Sequence, residues 1–334
     1  MKTYIPENYK SSLDLYETQA AISFTKKTFE SKLAKALHLK RVSAPLFVDT
    51  NSGLNDDLGG LGNAVDFMIP SINKEGAVVQ SLAKWKRKAL YDYKFFEGKG
   101  LYTDMNAIRK DEVLDNIHSI YVDQWDWEKV INVSQRNLEF LFDTVKTIHS
   151  TILDTLSELK KKYPNITTSL SKDMFIINSE KLLQMYPNLS SKQREYEIVK
   201  KYKTVFIYGI GNDLSNGSPH DFRASDYDDW SLNGDLLYYD ELLDIALEIS
   251  SMGIRVDSNA LLKQLNIKNE DYKKKYQYHS MILNNELPLT IGGGIGESRL
   301  CMLLMNKAHI GEVQSSIWDE DTLKIAKEHN VIIL

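Results

Sequence analysis

Tyr121-Val122-Asp123-Gln124-Trp125-Asp126-Trp127-Glu128 is the stretch on which the fold of this chain turns. From Ile117 to Trp127 the residues are β-branched and aromatic, which predicts a strand. Alternate residues of a strand face opposite sides. Asp126 and Gln124 therefore share one face with Val122 and Ile120, while Trp127, Trp125, Asp123 and Tyr121 share the other. Carboxylates and an amide in a strand otherwise suited to burial are costly unless they are paired or bind something. An internal salt bridge and a ligand site both satisfy that requirement.

Helices and shorter strands surround this strand. Leu13 to Leu37 carries Ile22, Phe24, Phe29, Leu33, Ala36 and Leu37 at helical spacing, with lysines and glutamates opposite. Arg41 to Phe47 reads as a short strand interrupted by Pro45. Polar turns from Gly53 to Gly62 lead to paired strands at Ala64–Ile69 and Ala77–Val79. Asn132 to Lys162 predicts the clearest helix, closed by Pro164. Strands are expected at Met174–Ile177, Thr204–Gly209 and Asp235–Tyr239. Helices are expected after Asp257, as N-cap, and from Glu297 to Met305. With no steady βαβ rhythm, the pattern predicts an α+β fold with an antiparallel sheet. No linker or repeat divides residues 1–334, so one domain is expected.

Composition narrows the function classes. The formal net charge of −5 lacks the basic surplus of a typical nucleic-acid binder. No apolar run approaches the roughly 20 residues of a membrane span, and Met1 to Pro6 has no signal-like apolar core. Cys301, the single cysteine, cannot form an internal disulfide. A soluble cytoplasmic protein is expected.

Chemistry-bearing residues gather in four further places. Gln80-Ser81-Leu82-Ala83-Lys84-Trp85-Lys86-Arg87 reads by itself as a solvated basic helix face. Ile108-Arg109-Lys110-Asp111-Glu112 precedes a loop to His118-Ser119. Asp235 and Glu248 are candidates for Mg²⁺, a hard cation that takes carboxylate oxygens and keeps waters and phosphates. Arg255 could clamp a carboxylate with its planar fork. Gly292-Gly293-Gly294-Ile295-Gly296 is neither a P-loop nor a convincing dinucleotide fingerprint. Alone, it is consistent with helix–strand packing.

In this order the stretches resemble the class II aminoacyl-tRNA synthetase core. Leu39 to Pro45 resembles motif 1, whose proline lies at that family's dimer interface. Arg109 to Glu112 with His118 to Glu128 resembles motif 2, and Gly292 to Arg299 resembles motif 3. The similarity is tighter to the aspartate–ammonia ligases (asparagine synthetase A), carried by Ser81–Arg87, Tyr121–Glu128, Asp226-Tyr227-Asp228-Asp229-Trp230-Ser231, Ser250–Asp257 and Thr290–Gly296. It covers nearly the whole chain. One departure is the short connection Ser231-Leu232 between Trp230 and Asn233, which puts a lid role there in doubt.

The resemblance implies ammonia-dependent asparagine formation through a β-aspartyl-adenylate by a homodimer joined through motif 1, with ATP as co-substrate and Mg²⁺. Arg109 would hold the α-phosphate, Arg299 would stack on adenine, and Glu112 and Ser119 would touch the nucleotide. Gly294 would leave it room, and Asp235 and Glu248 would place Mg²⁺. Lys86 and Arg255 would grip the α-carboxylate. Asp126, Asp228, Ser81 and Ser251 are alternatives for the α-ammonium. Asp56 and Gln124 would lie at the reacting carbon, with Asp56 as base toward ammonia.

Three rivals remain. A truncated aspartyl- or asparaginyl-tRNA synthetase paralogue is disfavoured by the acidity, by a motif 1 helix that starts almost at once, and by the 35 residues after Arg299. Glutamine-dependent synthesis needs an N-terminal cysteine, but residue 2 is lysine, and Cys301 reads as a buried small hydrophobe. A regulatory paralogue that binds without turnover is disfavoured by the intact set Arg109, Asp235, Glu248 and Arg299.

Overall fold

The computed structural model describes residues 3–56 and 63–334. Lys2 and residues 57–62 of the Gly53–Gly62 turn region lie outside the described residues. Helix α1 (Leu15–Leu37) starts at Asp14, which forms a reciprocal capping box with Glu17. Its stripe Ala21, Phe29, Leu33 and Leu37 is buried. Pro45 does more than interrupt one strand. It stands between β1 (Leu39–Arg41) and β2 (Phe47–Asp49), which belong to different sheets. Strand β2 pairs with β4 (Lys74–Val78), and β4 pairs with β3 (Asp66–Ile69), forming a small antiparallel sheet.

Helix α2 (Ala83–Asp92) leads into β5 (Gly100–Ile108) and β6 (Tyr121–Val130). Helix α3 (Leu138–Lys162) begins six residues later than the periodicity predicts. Asn132 caps only a single tight turn over Val133–Gln135, and Asn137 then caps the helix proper. The chain continues through β7 (Phe175–Asn178), α4 (Ser179–Met185), α5 (Ser191–Tyr202), β8 (Thr204–Tyr208), β9 (Asp228–Asp240) and β10 (Ile245–Arg255). After α6 (Ser258–Lys268), capped by Asp257, come α7 (Gln277–Leu283), β11 (Thr290–Gly296), α8 (Glu297–Leu304) and α9 (Glu320–Glu328).

The main sheet has eight strands in the order β1-β5-β6-β11-β10-β9-β8-β7. Its six inner strands are antiparallel, and the two edge pairs, β1–β5 and β7–β8, are parallel. The antiparallel expectation holds for the centre. Strand β9 starts seven residues before the predicted Asp235, because Asp228 pairs in register with Arg255 of β10. The Ser231-Leu232 connection thus lies inside a continuous strand. The glycine run is likewise a strand interior, paired with β6 and β10, rather than a helix–strand contact.

The two faces of β6 separate as predicted from Gln124 to Trp127, whereas Tyr121 and Asp123, expected on the tryptophan face, also line the cleft. Trp125 and Trp127 enter a core with Phe29, Ile148, Ile152, Met252, Ile291 and Ile295. The Phe29 and Trp125 rings lie 4.7 Å apart. Truncating such a buried aromatic typically costs about 3–5 kcal/mol, so α1, α3 and α8 are held firmly to one side of the sheet. Gln124 and Asp126 point the opposite way.

Candidate active site

A cleft collects Gln124 and Asp126 of β6, Glu248, Ser251 and Arg255 of β10, Gly294 of β11, and Arg299 of α8. Asp56, Ser81, Lys86, Arg109, Glu112, Ser119 and Asp228 complete its lining. Of the predicted site residues only Asp235 lies outside its lining. Its free volume is about 200 Å³, below the roughly 300–1,000 Å³ of typical ligand sites, because charged side chains reach into it.

One end is a web of buried charge. Lys84, Lys86 and Arg87 are buried, which corrects the expectation of a solvated basic face. Their partners come from distant segments. Lys84 Nζ donates to Asp226 at 3.0 Å, and Arg87 donates to the carbonyls of Pro288 and Val256. Lys86 Nζ donates to Asp126 Oδ1 at 2.7 Å and to the Gly293 carbonyl at 3.0 Å. Asp126 Oδ2 is buried without a hydrogen-bond partner, an acceptor presented to the cleft.

Arg255 donates from Nε and Nη2 to Glu128, at 2.7 Å for the closest contact, and from Nη1 to Asp228. These bonds leave one N–H on each terminal nitrogen of the five-donor guanidinium, a fork suited to an incoming carboxylate. Burial works to raise the Glu128 carboxyl, but Arg255, aided by Lys86 and Thr290, outweighs it and holds the group low. For Asp228 burial wins and its carboxyl is raised despite Arg255. Burial also pulls the Lys86 ammonium down, against the pull of Asp126. The glycine run makes this packing possible: a Cβ at Gly292 would collide with Glu128 Oε2, and one at Gly294 with Gln124 Oε1. Gly294 therefore makes room for a side chain of the protein itself, besides lining the cleft.

The other end is looser. Arg109 follows β5, and its backbone N–H closes the loop on the Ile120 carbonyl at 2.8 Å. Its side-chain Nε is buried without a hydrogen-bond partner. Arg299 donates to the carbonyls of Ile117 (3.3 Å) and Glu248 (3.2 Å). Burial lowers the Arg299 guanidinium, Glu248 opposes this, and Arg109 adds to it. Two guanidiniums that repel each other favour an anion between them. Ser119 Oγ bonds Ser316 Oγ at 3.0 Å. Burial, reinforced by Asp235, raises the Glu248 carboxyl. Asp235 is bonded by Arg223 through Oδ2, while its Oδ1 is buried without a hydrogen-bond partner.

Several residues of the site are missed by sequence reasoning. Asn55 accepts the backbone N–H groups of Gln80 (2.8 Å) and Asp56 (3.0 Å), and Gln80 donates to the Asp56 carbonyl, so these two fix Asp56. Tyr227 and Gln314 line the cleft, as does His118, whose Nδ1 lies 2.9 Å from Asp115. Glu128 and Arg223 were also unassigned. Only Gln80, Glu128, His118 and Tyr227 fall in stretches that the motifs mark.

This sheet and cleft define the catalytic-domain fold of class II aminoacyl-tRNA synthetases. The asparaginyl-tRNA synthetase of Pyrococcus horikoshii, solved with asparaginyl-adenylate, matches with a TM-score of 0.64 and 16% identity, over 89% of this chain and 68% of that one. The Entamoeba histolytica asparaginyl-tRNA synthetase, also with asparaginyl-adenylate, gives 0.65 and 14%, over 90% and 66%. At such identities the likeness concerns the fold. Within that class, the chain belongs to the aspartate–ammonia ligase family, whose sequence model matches residues 16–330. The aspartate–ammonia ligase of Clostridium perfringens strain SM101 is 55% identical, over 100% of this chain and 99% of that protein. Those of Clostridium tetani (52%, over 99% and 97%) and Bacillus cereus (50%, over 97% and 99%) agree.

Proposed function

We propose that this ligase converts aspartate, ATP and ammonia to asparagine, AMP and diphosphate, with residues 1–334 acting as one catalytic domain. The β-carboxylate of aspartate attacks the α-phosphate of ATP and diphosphate leaves. Ammonia then attacks the β-aspartyl carbon, AMP leaves, and one proton goes to a base. The observation that carries this reading is the shared cleft: a paired Lys86–Arg255 grip with the unpartnered Asp126 Oδ2 at one end, and Arg109 with Arg299 at the other.

Lys86 and Arg255 bind the α-carboxylate, and Asp126, with Asp228, Ser81 and Ser251 nearby, receives the α-ammonium. The β-carboxylate then points to Gln124 and Arg109. Arg109 meets the charge that develops at the α-phosphate, Arg299 stacks on adenine, and Glu112, Ser119 and Gly294 shape the nucleotide half. Asp56, held by Asn55 and Gln80, takes the proton from ammonia.

Asp235 and Glu248 fit Mg²⁺ through the partnerless Asp235 Oδ1 and the cleft-facing Glu248 carboxylate. Among the described residues no group of three or more His, Cys, Asp or Glu side chains is placed to hold a metal. Mg²⁺ needs no such cage, because one or two carboxylates suffice beside phosphates. When bound it would neutralise phosphate charge.

Cys301 is fully buried and burial pushes its thiol up, which suits a core residue better than a nucleophile toward glutamine. No helix among the described residues is long and apolar enough to cross a membrane. A cytoplasmic homodimer joined through the Pro45 region, working without tRNA, completes the reading. Aspartate-dependent ATP–diphosphate exchange tests it, with ammonia, glutamine and tRNA supplied in turn. Exchange with asparagine formed from ammonia alone is expected. Product formed only with tRNA would favour the synthetase paralogue, and no exchange would favour a binding paralogue.

A further inference from the structure

Residues 209–227, an irregular connection between β8 and β9, bring Arg223 back over the sheet. Its Nη2 donates to Asp235 Oδ2 and its Nη1 to the Phe222 carbonyl at 2.8 Å. Its Nε is buried without a hydrogen-bond partner. The two paired side chains are only 12% and 5% exposed, and the acidic groups that act on Arg223 are Asp235, Glu248 and Asp221. Two other cations act on Glu248: Arg299, which donates to the carbonyls of Ile117 and Glu248 and faces the cleft, and Lys192, which is occupied by Glu195 at 3.1 Å and Asp221 at 3.5 Å.

Asp235 and Glu248 lie on neighbouring strands and repel each other. Asp235 is buried and Glu248 half-buried, and carboxylates so placed are costly without a cation. Arg223 supplies one, so the group of three carries one net negative charge instead of two. Attraction between a bare divalent cation and the pair falls accordingly. A triphosphate reverses the balance, because it brings its own negative charge to the metal and offers the guanidinium a bidentate partner.

We propose that Arg223 is the built-in counter-ion of the Asp235–Glu248 pair and sets its metal selectivity: it disfavours a bare divalent cation, so that metal enters together with the triphosphate, whose phosphates then hold the guanidinium. The proposal rests on the reading of Asp235 and Glu248 as the Mg²⁺ carboxylates. It makes Arg223 a residue with opposite effects on the two ligands, which a merely structural role does not produce.

The test uses the full chain, with Mn²⁺ as a spectroscopic probe, and measures binding of free Mn²⁺, free ATP and Mn²⁺–ATP. Arg223→Gln should bind free Mn²⁺ about tenfold tighter than the unmodified chain and free ATP about tenfold weaker. Arg223→Lys, which keeps the charge, should stay within about threefold for free Mn²⁺. Equal free-Mn²⁺ affinity in Arg223→Gln, or loss of Mn²⁺ and ATP binding together, overturns the proposal. Should Arg223→Gln melt far below the unmodified chain, Arg223→Lys carries the test, and tenfold tighter free Mn²⁺ binding in it overturns the proposal. Asp235→Asn examines the metal reading separately. If it holds Mn²⁺–ATP as well as the unmodified chain does, the metal lies elsewhere and the Arg223 proposal falls with that reading.

Discussion

The two ends of the cleft are built on opposite principles. At the end proposed for aspartate, Lys86, Arg255, Asp126, Glu128 and Asp228 stand on a helix and central strands, and both cations are already locked by carboxylates. At the end proposed for the nucleotide, Arg109 stands at a strand terminus, Arg223 on an irregular connection, and each has a partnerless Nε. A small substrate that must be held by one carboxylate and one ammonium calls for a fixed frame. A long, flexible triphosphate is met by groups that still have bonds to give. The contrast predicts that damage at the first end is felt in stability and activity together, and loss of the Arg109 side chain at the second in activity alone.

Arg255→Ala should show the largest effect. It leaves Glu128 and Asp228 as uncompensated buried charges, which costs about 3–5 kcal/mol. A fall in melting temperature together with loss of aspartate binding is the expected outcome; an unchanged melting curve would break the contrast. Arg109→Ala should lower the adenylation rate by about 10²–10³-fold with little change in melting temperature, measured by diphosphate exchange and thermal denaturation.

Gly294→Ala should be milder, because its Cβ meets Gln124 and Asp126 side chains that can shift. Overpacking of this kind costs about 1–3 kcal/mol, and the KM for aspartate should rise through the displaced Gln124 and Asp126 together with the KM for ATP. The smallest effect concerns pH. Burial pushes the Glu297 carboxyl up to about 7, with Lys26 opposing and Asp123 reinforcing. Its folded value lies above the ordinary 4.5, so the native state binds the extra proton. The protein should therefore lose stability as pH rises between about 4.5 and 7. Glu297→Gln should flatten that part of the profile, and an unaltered slope would assign the effect to another group.

Much of the fold was legible because the decisive strand states its two faces openly: Trp125 and Trp127 are core, and Gln124 and Asp126 are cleft. Helix α1 was legible through Phe29, Leu33 and Leu37, while Ala36 of the expected stripe is exposed. Strands β5 and β10 were not, since Asp104, Asn106, Glu248, Ser250 and Ser251 break any apolar alternation, and their partners are supplied by tertiary contacts. The basic stretch was misread for the same reason. Lys84 finds Asp226 across 142 residues and Lys86 finds Asp126 across 40, distances over which local pattern carries no information. Arg223 left no sequence signal, because its importance depends on which carboxylates the sheet places beneath it.

The central claim is that ATP activates the β-carboxylate of aspartate at its α-phosphate. Aspartate labelled with ¹⁸O in the β-carboxylate, incubated with ATP and ammonia, tests it most directly. One labelled oxygen should appear in the phosphate of AMP, with the other retained in the asparagine amide. Label in inorganic phosphate or diphosphate, or asparagine formed with no label in AMP, would contradict it.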